Sequence, residues 1–332
     1  MRVFLTGATG AVGTPVAAEL KERGHDVVAL VRSDANAKRM YDEGYHPVVG
    51  DMCEPDGWSS EAESCDGLIH AAWVRPGRRM GMSWVRATTH ADAIVVDALI
   101  DVARRSSRCK ALLLTSGHSV YGDHGDEWID DETAPVPGAV GSKQLACERK
   151  AMAAAADGVS CFVIRPCTVY GPRGPAMDYF FGSAIKGAIR YPGNGNNFFP
   201  FIRDTDLADA YALAVEQPPI GEIISVGDDE PLRLSEVARV ILDEFGGGTS
   251  GGVPRWLVAL MGGGPLAEML TQSFRVRNDK AKRLLGWQPR NPTLRDGIAA
   301  AVESWRCEQA GDSKKDSTGQ TDRKARSSFR SR

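Results

Sequence analysis

Three glycines in Thr6-Gly7-Ala8-Thr9-Gly10-Ala11-Val12-Gly13 constrain this chain more than any other feature, because they join an apolar, strand-like stretch (3–6) to a helical pattern (12–23). In that context each glycine has a separate use. Gly7 permits a tight turn, Gly10 lets backbone approach a diphosphate, and Gly13 lets the helix pack closely on the strand. The diphosphate charge then rests on the free amides at the helix N-terminus. A turn that only joins strand to helix is the competing reading, and the strand-to-helix context weighs against it.

The rest of the first half repeats the theme. Short apolar runs at 27–31, 47–49, 67–70, 111–115 and 161–165 alternate with helical patterns at 91–105 and 143–155, the order of a doubly wound α/β fold with a parallel sheet. Beyond Pro166 the elements shorten and Gly/Pro turns separate them, with helices expected at 205–216, 234–245, 255–261 and 294–306 and a flexible connector at 246–252. Three regions follow: a dinucleotide-binding domain at 1–172, a smaller substrate-binding domain at 173–306 with segments returning to the first, and a disordered tail at 307–332, where apolar anchors run out.

At 332 residues with 42% hydrophobic and 25% charged, the chain can bury a full core. A net charge of -3 supplies no global field toward nucleic acid or an anionic membrane. No segment approaches the ~20 apolar residues that cross a bilayer, and no secretory pattern opens the chain. A cytoplasmic protein acting on a small molecule is the expectation. The seven cysteines are scattered without ligand spacing, so no metal site is expected.

Further stretches match one family in order. They are the Gly-x-x-Gly-x-x-Gly turn, Asp51 after the third strand, Ile69-His70-Ala71-Ala72, Leu114-Thr115-Ser116-Gly117-His118-Ser119-Val120-Tyr121-Gly122, Ile164-Arg165-Pro166-Cys167-Thr168-Val169-Tyr170-Gly171-Pro172, 201–210 and 280–289. Over residues 1 to 306 the chain thus resembles the short-chain dehydrogenase/reductase superfamily, in its extended and atypical branches related to sugar-nucleotide epimerases and dehydratases. The resemblance implies a Rossmann-like sheet and cofactor contacts from Thr9, Ala11 and Val12 in the turn. It further implies contacts from Asp51 and Met52, from Ala71, Ala72 and Trp73, and from Lys143, Pro166 and Val169. Relatives often dimerise, so a monomer or homodimer is expected.

The second strand ends Ala29-Leu30-Val31-Arg32-Ser33, without the carboxylate that binds ribose hydroxyls in NAD-binding relatives. Arg32 in fork geometry and the Ser33 hydroxyl instead suit a 2′-phosphate, so the expected cofactor is NADP(H). A surface arginine at a strand end is the bland alternative.

Three departures stand out. The family's proton-passing tyrosine lies four residues before its lysine; here Lys143 is kept and the earlier position is Ala139. Gly117 stands where the family has a serine or threonine, flanked by Ser116, His118 and Ser119. Asp92 aligns with the family's asparagine and reads as a helix-face residue. General acid catalysis contributes roughly 10²–10⁴-fold, so hydride transfer can survive its loss. The proton then comes from substrate, water or a side chain, with His118, the pair Ser116 and Ser119, and Tyr121 as candidates beside Lys143.

On the substrate side, Trp73, Arg75, Arg78, Trp84, Tyr179, Phe180, Phe198 and Phe199 suit a bulky or aromatic ligand or, one by one, a domain core. Arg203 and Arg275 stand where sugar-nucleotide relatives bind phosphate. The expected function is an NADPH-dependent ketoreductase of a bulky, aromatic or polyketide-type secondary metabolite. A catalytically silent NADP(H) sensor and a nucleotide-sugar epimerase or dehydratase are the alternatives.

Overall fold

The computed structural model describes residues 1–74, 77 and 79–310. Arg75, Arg78 and 311–332, most of the expected tail, lie outside the described residues.

The first half runs β1 (Arg2–Thr6), α1 (Gly13–Glu22), β2 (Asp26–Val31), α2 (Asp34–Asp42), β3 (His46–Val49), α3 (Ser59–Glu63), β4 (Gly67–His70), α4 (Met82–Arg105), β5 (Ala111–Thr115), β6 (Trp128–Ile129), α5 (Ala139–Ala156), β7 (Cys161–Pro166) and β8 (Thr168–Tyr170). The second half runs α6 (Pro175–Ala184), β9 (Ala188–Pro192), β10 (Phe198–Phe199), β11 (Phe201–Arg203), α7 (Asp204–Glu216), β12 (Ile223–Val226), β13 (Leu232–Arg233), α8 (Leu234–Glu244), β14 (Thr249–Val253), α9 (Arg255–Gly262), α10 (Gly264–Thr271), β15 (Arg275–Val276), α11 (Asp279–Leu285) and a last helix, α12, at 294–310.

Seven strands form one sheet in the order β12-β7-β5-β4-β1-β2-β3, every pair parallel. The central strands are mostly apolar because helices cover both faces: Val3, Leu5, Ile69 and Leu113 belong to one core layer, Phe4, Leu68, Leu112 and Val163 to the other. The strand order reverses between β1 and β4, and there the carboxyl ends of the strands open the crevice in which such sheets bind ligands.

The second core is built by α6, β9, α8 and α12, with Phe181, Tyr191, Val237, Ile241 and Trp305 buried together. Leu234, Val237, Ala238 and Ile241 recur at helical spacing, so α8 buries a single stripe. Residues 201–226 and 274–287 return to the first core, fastened by Asp206. Its carboxylate accepts the Arg290 and Asn291 amides at 3.0 and 2.9 Å, and its carbonyl accepts from Trp287 Nε1 at 2.9 Å.

Two expectations are corrected. The connector at 246–252 contains a strand: β14 pairs in parallel with β9, Thr249 against Ala188 through Val253 against Pro192. Its glycines allow the close approach, since a Cβ at Gly252 would overlap the Gly193 carbonyl. The tail does not begin at 307, because α12 continues to 310 and Arg173 Nε donates to the Glu308 carboxylate at 2.8 Å.

Candidate active site and cofactor cradle

The glycine turn is a cradle without room for side chains. Gly7 has φ of 76°, and a Cβ there would lie 2.6 Å from the Ala72 backbone at the end of β4. A Cβ on Gly13 would overlap the Gly7 carbonyl, which itself accepts the Gly10 amide at 2.8 Å. The first turn of α1 carries no acidic residue, so its amides face an anion without competition. These features fit a dinucleotide diphosphate. Arg173 lies alongside, its Nη1 donating to Thr14 Oγ1 at 3.1 Å.

Arg32 and Ser33 follow β2, and both are exposed. The Ser33 hydroxyl caps α2, accepting the Asn36 amide at 3.3 Å. Asp51 is exposed and turns the chain by accepting the Cys53 amide at 2.8 Å, while Met52 packs partly against the core. Ala71 is buried against the turn, Pro166 ends β7, and Val169 packs at the margin of the first core.

Lys143 lies one helical turn beyond Ala139 on the same face of α5. Its side chain is only 2% exposed and its Nζ donates to Asp92 Oδ2 at 2.6 Å. Asp92 is therefore more than a helix-face residue, since α4 carries it directly to the lysine. The Trp84 ring lies 5.6 Å from Nζ, and Trp73 meets Trp84 edge-on at 5.4 Å. Trp73 is 42% exposed, so this indole pair forms a wall between the ammonium and solvent. His70 also belongs here: burial pulls its pKa down to about 4, and its Nδ1 bonds Thr6 Oγ1 at 2.7 Å.

The loop after β5 behaves differently from the sequence expectation. His118 is packed edge-on against Phe274 with Nδ1 on the Pro166 carbonyl, and burial pulls its pKa to about 4. It is neutral near pH 7, and its Nδ1 is taken up by the Pro166 carbonyl. Ser119 donates to Gln144. Tyr121 is buried, bonds Ser225, and is pushed up to about 12 by burial, so it packs. Among the described residues, Ser116 Oγ and His118 Nε2 are buried with no hydrogen-bond partner, as are both Asp228 oxygens, Arg203 Nη1 and Trp305 Nε1 elsewhere in the chain. Such atoms cost about 1–3 kcal/mol each when left unpaired.

A carboxylate without a sequence signal sits at the start of α5. Glu268 of α10 accepts the Ala139 amide at 3.3 Å, and its other oxygen occupies the space where a side chain at Gly138 would begin. α10 reaches this point because Met80 donates to the Gly262 carbonyl at 2.8 Å, holding the chain before α4 against the α9–α10 junction.

Several residues of the matched motifs and of the expected substrate side are structural. Arg165 is buried and pairs through two nitrogens with Glu148 at 2.8 and 2.6 Å, so its guanidinium is committed to the core. Phe180 and Phe199 lie in the second core, and buried Phe198 packs under Arg233 and Arg275. Tyr179 is half exposed and donates to the Arg190 carbonyl. Arg203 is buried over Tyr170, and Arg275 lies on the Trp128 ring at 4.0 Å. Among the described residues no His, Cys, Asp and Glu group is placed to hold a metal ion, and no helix is long and apolar enough to cross a membrane.

A parallel doubly wound sheet with a glycine cradle at its switch point defines a dinucleotide-binding oxidoreductase or epimerase class. The chain belongs to the NAD dependent epimerase/dehydratase family, whose model matches residues 3–227. It is 30% identical over 90% of its length to an uncharacterised protein of Schizosaccharomyces pombe, covering 99% of that protein. It is 27% identical to a 3-diazoavenalumate denitrifying reductase of Streptomyces, covering 90% of this chain and 99% of the relative. A 4-hydroxy-2-methyl-3-oxo-4-farnesyl-3,4-dihydroquinoline-1-oxide ketoreductase of Stigmatella aurantiaca is 26% identical over 74% of each. Among solved structures, a human epimerase family protein with NADPH, SDR39U1, superposes with a TM-score of 0.78 at 22% identity, covering 91% of this chain and 99% of its own.

Proposed function

We propose that the chain is an NADPH-dependent ketoreductase of a bulky, aromatic or polyketide-type ketone. The observation that carries this reading is the condition of the nicotinamide end of the crevice. The family resemblance assigns Lys143 to that end, where Asp92 would hold it ready, and Ser116 Oγ and His118 Nε2 in the loop after β5 are buried and unpartnered. A protein that only retained the adenine half would gain stability by filling these positions. Bound in the cradle, the cofactor supplies a hydride. The chain's own contributions are diphosphate binding by Gly7, Gly10 and Gly13, phosphate recognition by Arg32 and Ser33, and orientation by Lys143. The Trp73–Trp84 wall offers an apolar surface to a flat substrate. The name of one relative, a ketoreductase of a farnesylated quinoline-1-oxide, supports the ketone class, and that of another, a 3-diazoavenalumate denitrifying reductase, supports reductive chemistry on an aromatic substrate without a ketone.

The sealed Lys143–Asp92 pair favours a second reading, a protein that binds NADP(H) without turnover. Mixing the protein with NADPH and a panel of aromatic and polycyclic ketones separates the two. Loss of reduced-nicotinamide absorbance with any ketone, faster with NADPH than with NADH, is the expected result. Tight binding with no consumption across the panel sinks the reductase reading.

A further inference from the structure

Resting on the reductase reading, we propose that the Glu268 carboxyl is the group that handles the reaction's proton, in place of a tyrosine at 139. Three observations converge. Ala139 has no hydroxyl, yet its helix face continues to Lys143 one turn on, and Lys143 faces Asp92 and Trp84. A carboxylate from another part of the chain stands at the end of the helix where this face begins: Glu268 Oε2 is 3.3 Å from the Ala139 amide, and Oε1 lies beside Gly138. The loop packed on the same first turn, where Gly141 abuts the Ser119 carbonyl, leaves Ser116 Oγ and His118 Nε2 buried and unpartnered, the condition of a site awaiting a polar ligand.

Of the two carboxylates described here, Asp92 is taken up by Lys143, which leaves Glu268 for proton transfer. His118 is neutral and packed, Tyr121 is turned to Ser225, and Lys143 is committed to Asp92. In the step assigned to it, the carbonyl carbon gains a hydride from the reduced nicotinamide dinucleotide and the C=O π pair takes the carboxyl proton. A C–H and an O–H bond form, the ketone is reduced by two electrons, and the dinucleotide is oxidised. The carboxylate left behind recovers a proton from water. In the oxidative direction the same carboxylate accepts the alcohol proton. Gly138 leaves room for the carboxylate, and the Ala139 amide orients it.

The test separates this role from simple capping of α5, because Gln keeps an oxygen that accepts the Ala139 amide. In the full chain, Glu268→Gln is expected to lower kcat on any ketone of the panel about 100-fold or more. KM, NADPH affinity and Tm are expected to hold, and Glu268→Asp to recover part of the rate. A kcat within about twofold of native overturns the proposal while the reductase reading stands. So does a loss that NADPH affinity and Tm share, which marks a cap.

A second measurement needs no turnover. In Ala139→Tyr the new phenol, followed by its phenolate absorbance against the native protein, is expected to titrate about one pH unit higher with Glu268 present than in Ala139→Tyr/Glu268→Gln, because a nearby carboxylate opposes the phenolate. Coincident titrations overturn the placement of the carboxyl at the proton position. If the native chain consumes NADPH with no ketone, the reductase reading falls by itself and this titration still decides where Glu268 acts.

Discussion

Lys143 Nζ and Asp92 Oδ2 stand 2.6 Å apart, joining α5 to α4 under the Trp84 ring. The lysine side chain is almost fully buried, so its charge is carried by this one carboxylate and the indole face. In a family whose lysine ordinarily serves a tyrosine, this chain lacks the tyrosine and gives the lysine an anion. The pair fixes the ammonium between α5 and α4, beside the Trp84 ring.

Removing one partner of such a pair leaves an uncompensated buried charge. Asp92→Ala should therefore destabilise the chain by about 3–5 kcal/mol, and Asp92→Ala/Lys143→Met should recover much of that loss. Denaturant unfolding of the two variants checks this. A double variant no more stable than the single one would mean that water already reaches Lys143.

The glycine cradle makes a steric prediction. A methyl group at Gly13 meets the Gly7 carbonyl and Ala8 backbone, neither of which is a flexible side-chain end. Gly13→Ala is expected to cost about 1–3 kcal/mol in stability, the usual penalty of overpacking, and to weaken NADPH binding at least tenfold in a fluorescence titration. Gly57→Ala, where nothing lies within 4 Å, is the control and should leave both unchanged.

Cofactor preference rests on the end of β2. Arg32 is exposed there, and the neighbouring Ser33 hydroxyl already points back to the Asn36 amide. A charge-assisted contact to a 2′-phosphate contributes about 1.5–3 kcal/mol, so Arg32→Ala should weaken NADPH by roughly 10- to 100-fold and leave NADH nearly unaffected. Equal losses for both dinucleotides would assign Arg32 to the surface.

The sheet is legible in the sequence because parallel strands buried on both faces appear as unbroken apolar runs; 67–70 and 111–115 coincide with β4 and β5. The cradle is legible because glycine is the residue its geometry demands. What escapes is tertiary. The first turns of α4 before residue 91 lack a strong helical pattern, yet form because Val85 and Thr88 are buried. β14 hides among glycines, since its pairing depends on β9. Glu268 reaches Ala139 across 129 residues, and nothing local to either position announces the meeting. Asp92 did carry a signal, a carboxylate where the family has an amide, but only its approach to Lys143 gives that signal a meaning.

Two buried histidines supply the last prediction. His70 and His118 are each pulled to about 4 by burial; around His70 the Asp92 charge opposes this and Lys143 adds to it. In the unfolded chain both titrate near 6.5. Below about 6.5 the unfolded state therefore binds protons that the folded state refuses. Stability should fall as pH drops from about 6.5 to 4, by roughly 2–3 kcal/mol for each histidine, and this contribution should level off below that range. Asp204 and Asp228, raised by burial, take up protons early in the folded state and slope the other way. The comparison is therefore made by difference. His70→Asn/His118→Asn is expected to lose less stability than the native chain across that window, whatever its absolute stability at pH 7. Parallel curves from urea unfolding at successive pH values would show that both rings titrate in the folded protein as they do in water.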